Sequence, residues 1–299
     1  MEYKVKSFFA IFKTAAKEWW SKDPFKESAV IAYYSIFSLP GLLVLILTVA
    51  GYFYGQDAIN NKLSDQIAST MGPDTAVQVS DMIEKARATG SSVWTTIIGI
   101  VTIIVGATGV FAQFQKSLNI IWEVKADESK SGILSLIKVR LFSFGLIISV
   151  AFILVVSLVV STLLAAFGGW LQSNFSEALL IIVQILNVII SLAILALIFS
   201  LMFKFFPDAK IKWRHVWVGS FVTAILFELG KFGLSLYFGK ASPESGYGAA
   251  GSIILILLWV SYSSMIVFLG AEFTRAFANY YDGEIPADEN EVKDKGREK

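Results

Sequence analysis

Apolar residues in this chain are gathered into long blocks, and the charged residues are confined almost entirely to the segments between them. Six blocks stand out, at about 29–54, 92–115, 140–167, 178–206, 215–238 and 249–278. Each reaches the roughly 20 residues that a helix needs to cross the hydrocarbon core of a bilayer. The pattern predicts an all-α polytopic membrane protein with six transmembrane helices, the membrane domain occupying 29–280.

The segments outside the blocks carry weaker periodicities. Within 1–28, Phe8, Phe12, Ala16 and Trp19 follow helical spacing while Lys4, Lys6, Lys13 and Lys17 populate the other side. This is the pattern of a basic amphipathic helix lying on the cytoplasmic membrane surface. A secretory signal does not fit, because no apolar core follows the first lysines and no small-residue cleavage site appears. In the segment 55–91, Ile59, Leu63, Ile67 and Met71 repeat every four residues. After Gly72-Pro73, Val79, Met82, Ile83 and Ala86 form a second stripe, with Thr75 and Gln78 spaced as a capping box. Two short extracytoplasmic helices hinged at Pro73 are expected between spans 1 and 2. Residues 281–299 lack apolar spacing and read as a disordered, charged cytoplasmic tail.

Composition agrees with this picture. Of 299 residues, 55% are hydrophobic and 16% charged, against about a quarter charged in soluble domains. Lys and Arg fix the orientation. The N-terminal segment, 116–140, 204–214 and 275–299 hold six, five, four and five. The alternate segments hold three (55–91), none (168–177) and one (Lys240), and Lys231 lies inside a span. Positive residues accumulate on the cytoplasmic side, so both termini are expected there. Trp19, Trp20, Trp94, Trp122, Trp170, Trp213 and Trp217 fall near span ends, where indole prefers the interface; Trp259 lies inside a span. The absence of cysteine removes disulfides and thiolate chemistry.

Polar residues within the blocks are the candidates for function. Glu228 and Lys231 lie three residues apart in span 5, on one helix face. They are read as a self-neutralised structural pair, as part of a polar translocation path, or as groups near an interface if the span boundary is shifted. Tyr33, Tyr34, Ser35 and Ser38 stand just before Pro40, which kinks the first span and frees carbonyls that these hydroxyls could satisfy, either as a structural kink or as a broken helix lining a cavity. Gln184, Asn187 and Ser191 form a polar stripe on span 4, sufficient as interhelical glue and also suited to a polar interior. Gly99, Gly106, Ala107 and Gly109 make span 2 a close-packing helix. Tyr247, Gly248, Gly251 and Ser252 lead into span 6. They serve either as turn and close-packing residues or as an anion or headgroup contact at a helix N-terminus. Gln115, Asn119, Glu272 and Arg275 are polar residues at cytoplasmic ends, the last two placed to snorkel to the interface. His215 is expected at the same interface.

Several activities find no support. Gly246-Tyr247-Gly248-Ala249-Ala250-Gly251 matches a dinucleotide pattern, but no strand precedes it and no βαβ unit surrounds it. Zinc-protease, serine-hydrolase and Walker signatures are absent, so no enzyme, cofactor or metal site is expected. The basic loops match orientation and anionic lipid attraction, so a nucleic-acid partner is unnecessary.

Taken together, several motifs carry a family resemblance. They are Ala32-Tyr33-Tyr34-Ser35-Ile36-Phe37-Ser38-Leu39-Pro40; Gly106-Ala107-Thr108-Gly109-Val110-Phe111 with Gln115, Leu118, Asn119 and Trp122; Phe206-Pro207; Gly230-Lys231; Tyr247-Gly248-Ala249-Ala250-Gly251-Ser252; and Gly270-Ala271-Glu272-Phe273. From about 25 to 280 the chain resembles the YihY/virulence factor BrkB family of bacterial inner-membrane proteins. The resemblance implies six spans, a multi-pass inner-membrane location and a link to the cell envelope. Some members carry an older ribonuclease BN label, which no residue pattern here supports. The expected function is that of a transporter or flippase-like protein for a lipid, an envelope precursor or a small solute, using a polar intramembrane cavity. The alternative is a non-transporting envelope scaffold or lipid-binding membrane factor. The bilayer is the expected partner, with a bound lipid or envelope precursor; oligomeric state is left open.

Overall fold

The computed structural model describes residues 5–37, 93–126, 177–241, 251–283 and 291–293, with scattered helical positions between 61 and 84. These residues form six helices and one small ribbon. Helix α1 is Val5–Ser21, α2 covers 24–37, and α3 is Val93–Trp122. Then follow α4, Glu177–Phe205; α5, Trp213–Ala241; and α6, Gly251–Asp282. Strands β1, Val124–Ala126, and β2, Glu291–Lys293, pair antiparallel with Val124 opposite Lys293 and Ala126 opposite Glu291.

Expected spans 4, 5 and 6 correspond to α4, α5 and α6. Each contains a stretch long and apolar enough to cross a membrane: Val188–Phe205, Trp213–Phe238 and Ile253–Asp282. Helix α3 covers expected span 2. The start of expected span 1 lies on α2, while its remainder, with Ser38 and Pro40, and span 3 lie outside the described residues. So do most of the two helices expected within 55–91. The tail expected to be disordered departs from that reading at β2. Its ladder is made by backbone groups, which composition and apolar periodicity do not report.

The chain divides into two compact units. The first comprises Met1–Lys22, Leu118–Leu226 and Val267–Lys299; the second comprises Asp23–Ser117 and Phe227–Ile266.

In the first unit, α1 is docked on protein. Ile11 and Ala15 are buried against Phe273 and Phe277 of α6. The rings of Phe8 and Phe12 meet Phe273 at 5.2 and 6.2 Å, the spacing of favourable aromatic pairs. The stripe read from sequence as a lipid-facing surface is therefore partly a packing surface. Phe9 and Trp20 stay exposed.

The same unit holds a reciprocal helix crossing. Gly219-xxx-Thr223 on α5 faces Gly270-xxx-Thr274 on α6. A Cβ at Gly219 would overlap the Thr274 side chain, and one at Gly270 would overlap Thr223. The pairing of 219 with 274 and of 223 with 270 makes this stretch antiparallel. Each threonine hydroxyl donates to the carbonyl four residues back, Gly219 and Gly270 respectively, at 2.7 Å. Small residues let backbones approach closely where no water-driven force holds helices together.

In the second unit, the ring of Tyr34 on α2 occupies the space a side chain at Gly109 would need. Glu27 accepts hydrogen bonds from Gln113 Nε2 and Ser117 Oγ of α3, both at 2.7 Å. Leu234 and Phe238 of α5 pack with Leu255 of α6.

Candidate functional site

The two charges singled out in span 5 meet each other. Lys231 Nζ lies 2.6 Å from Glu228 Oε2, with 31% and 35% of the two side chains exposed. The i,i+3 spacing on one helix turn makes this contact easy. Tyr33 is exposed and its ring meets those of Tyr34 and Phe37 edge-on. Among the described residues no hydrogen bond links Tyr33 or Tyr34 to the Glu228–Lys231 pair. Gln184 and Asn187 lie on α4, but their side chains are outside the described residues. Tyr247 and Gly248 are also outside them. Gly251 is the buried first residue of α6, and Ser252 follows it.

The cytoplasmic-end residues are organised more tightly than the sequence suggested. Gln115 is half-buried on α3. Asn119 clamps the turn after α4: its Nδ2 donates to Asp208 Oδ2 at 2.7 Å and its Oδ1 accepts from the Asp208 backbone at 2.9 Å. Glu272 does not snorkel. Its side chain is 1% exposed and its Oε1 lies 2.6 Å from Lys22 Nζ, itself 6% exposed. Arg275 bridges Glu123 and approaches Glu272 at 3.4 Å. Lys22 also donates to the Ile121 carbonyl at 3.0 Å. The reason is packing: α1 covers this face of α6, so the carboxylate is enclosed by protein and needs a partner there. Burial pushes the Lys22 ammonium below the ordinary lysine value, and Arg275 adds to this, while Glu272 and Glu123 oppose it.

His215 is likewise buried by protein, at the start of α5. Its Nε2 lies 2.8 Å from Asp282 Oδ2, its ring packs on Phe277, and Lys212 and Arg214 hold the same carboxylate. Sequence spacing could not join these residues, because the contacts run between helix ends far apart in the chain.

One groove is described. It has a volume of about 420 Å³ and lies between α4 and α5. Ile189, Leu192, Ala193 and Leu197 line one side, and Trp217 and Phe221 the other. Every lining side chain is apolar, except for the indole N–H of Trp217. Toward the turn joining the helices, Lys204 lies over the ring of Trp213, 5.8 Å from its centroid. Phe205 meets the same ring edge-on. Among the described residues no group of histidines and carboxylates has the makings of a metal site.

Comparisons with known proteins agree on one family. The family model described as Virulence factor BrkB matches residues 15–295. A UPF0761 membrane protein of Alteromonas mediterranea is 28% identical over 287 residues, covering 93% of this chain and 90% of its own length. One of Pseudoalteromonas atlantica is 26% identical over 259 residues, covering 85% and 81%. One of Stenotrophomonas maltophilia is 25% identical over 265 residues, and there the chain spans only 58% of the relative's length. No solved structure matches.

Proposed function

We propose a function on this premise: the chain belongs to the virulence factor BrkB family of membrane proteins. In our reading it spans the bacterial inner membrane six times with both termini in the cytoplasm. There it acts as a transporter or flippase-like protein for a lipid, an envelope precursor or a small solute. It performs no covalent chemistry and takes no nucleic-acid partner.

The Glu228–Lys231 pair carries this reading. From Glu228 to the far end of its span at Phe238 the helix rises ~15 Å. That is about half the ~30 Å hydrocarbon core, so the carboxylate belongs near mid-membrane. A charged residue at such depth costs about 2.5–3.5 kcal/mol on insertion scales. A pair kept only for structure would be enclosed by protein, as Lys22 and Glu272 are. Glu228 and Lys231 each leave about a third of the side chain uncovered. Uncovered charge at this depth favours water or a polar substrate beside it.

The test is reconstitution into liposomes with fluorescent phospholipid in both leaflets, quenched from outside. Wild-type protein is expected to move lipid, with the initial rate falling at least ~tenfold in Glu228→Gln, equivalent to ~1.4 kcal/mol of barrier. Lys231→Met is expected to do the same. Equal rates in wild type and both variants would remove the pair from any path. No lipid or solute movement at all would favour the second reading, a lipid-binding envelope factor that transports nothing. The apolar α4–α5 groove supports that alternative.

A further inference from the structure

We propose that the groove between α4 and α5 holds an acyl chain of an anionic phospholipid. Its phosphate is met by the cationic turn that joins the two helices. This site belongs to the first unit and does not depend on the transport reading.

The lining sets the chemistry of the tail. Ile189, Leu192, Ala193 and Leu197 face Trp217 and Phe221 across about 420 Å³. That is within the ~300–1,000 Å³ range of ligand sites. From Lys204 at the turn the helix rises ~10 Å to Leu197 and ~22 Å to Ile189, so a chain anchored at the turn enters the groove within the ~15 Å depth of one leaflet's hydrocarbon and follows it past the midplane. The alanines at 193 and 196 widen the groove between its branched and aromatic lining residues. Both walls lie in stretches able to span a membrane, so hydrocarbon is the medium available to fill it.

Charge complementarity sets the head. The segment 204–214 carries Lys204, Lys210, Lys212 and Arg214 against the single carboxylate of Asp208. Arg214 stands one turn before Trp217, and Lys204 two turns beyond Leu197, each on the face that lines the groove. Asp282 takes contacts from Lys212 and Arg214, which still leaves the turn net positive. Lys204 is held over Trp213, the pairing of indole and cation that marks a headgroup region. Basic pockets between helices on the cytoplasmic side are known means of holding anionic headgroups.

The test uses the full chain, delipidated in detergent, with phosphatidylglycerol or phosphatidylcholine of identical acyl chains added back. Phosphatidylglycerol is expected to raise the melting temperature more than phosphatidylcholine. Ala193→Trp, at an exposed position, should abolish that excess while keeping the unliganded melting temperature. Lys204→Gln, which removes the groove-face cation not engaged by Asp282, should bring the two lipids close to equal. A variant-free measurement guards against misfolding: phosphatidylglycerol with a photoreactive acyl chain should label 189–197 and 217–221 above other apolar segments. Equal stabilisation by both lipids in wild type, or label spread evenly over all helices, would overturn the proposal. So would a dimer that Ala193→Trp converts to monomer, since a second copy would then fill the groove.

Discussion

At the scale of single residues, the decisive group is one whose role the sequence concealed. Lys22 reads as one of six N-terminal cations, a surface residue by every local criterion. In the fold it is buried against Glu272. Glu123 supports the same cluster from a left-handed backbone, φ 55°, a conformation uncommon outside glycine. Lys22→Met or Glu272→Gln should each lower stability by at most about 3–5 kcal/mol, because the 2.6 Å partner of a buried charge is lost and only Arg275–Glu272 at 3.4 Å or Lys22–Glu123 at 3.8 Å remains. Lys22→Met with Glu272→Leu should recover most of the loss. Thermal melts in detergent measure both. The pH dependence has a definite sign. The folded-state value of Lys22 is depressed below 10.5, so between the two values the unfolded chain binds the extra proton and stability rises with pH. Wild type should gain on Lys22→Met as pH climbs toward 10.5, and a difference that stays flat there would contradict the burial argument. Glu228 and Lys231 were legible as a pair because three residues on a helix fix their contact. Lys22 and Glu272 were not, because nothing local joins them.

At the scale of elements, helices α4, α5 and α6 were legible almost to their ends, since apolar run length reports membrane-spanning helices directly. The way α5 meets α6 was written in the sequence too, as two glycine–threonine pairs of equal spacing, but it becomes readable only once the helices are known to be antiparallel. Gly219→Ala and Gly270→Ala should each destabilise by about 1–3 kcal/mol through overpacking. A bulky residue at exposed Gly233, where a Cβ meets nothing, should cost much less. Combining Gly219→Ala with Thr274→Ala should be less harmful than the separate losses predict, as touching residues couple. Strict additivity in that double-mutant cycle would argue against direct contact. The ribbon of β1 and β2 was illegible for a different reason: its register rests on backbone groups common to every residue.

At the scale of the whole molecule, the proposed orientation is open to a simple check, because the chain has no cysteine and any introduced thiol is unique. Thiols placed at Ser7, Lys125 and Glu291 should react with an impermeant reagent only after the inner membrane is opened. One at Asp65 should react without opening it. Labelling of Ser7 and Asp65 from the same side would refute the six-span arrangement. Charge counting supports the orientation, but which residues form the working site is not a matter of counting. Tyr33, Gln184 and Glu228 share a polar character that sequence reports, without the spatial relation that it does not. The docking of α1 on α6 has a consequence for the making of the protein. Ser7 contacts Tyr280 across 273 residues of chain, and Ile11 and Ala15 lie against Phe273 and Phe277. At ~5–20 residues per second of synthesis, α1 waits roughly 15–55 s for its partner to emerge. During that interval the α1 phenylalanines lack their α6 partners, and Lys22 has Glu123, 3.8 Å away in the finished fold, but not Glu272. The buried pair therefore closes only on a chain whose last helix has been inserted, so it marks completed chains from interrupted ones.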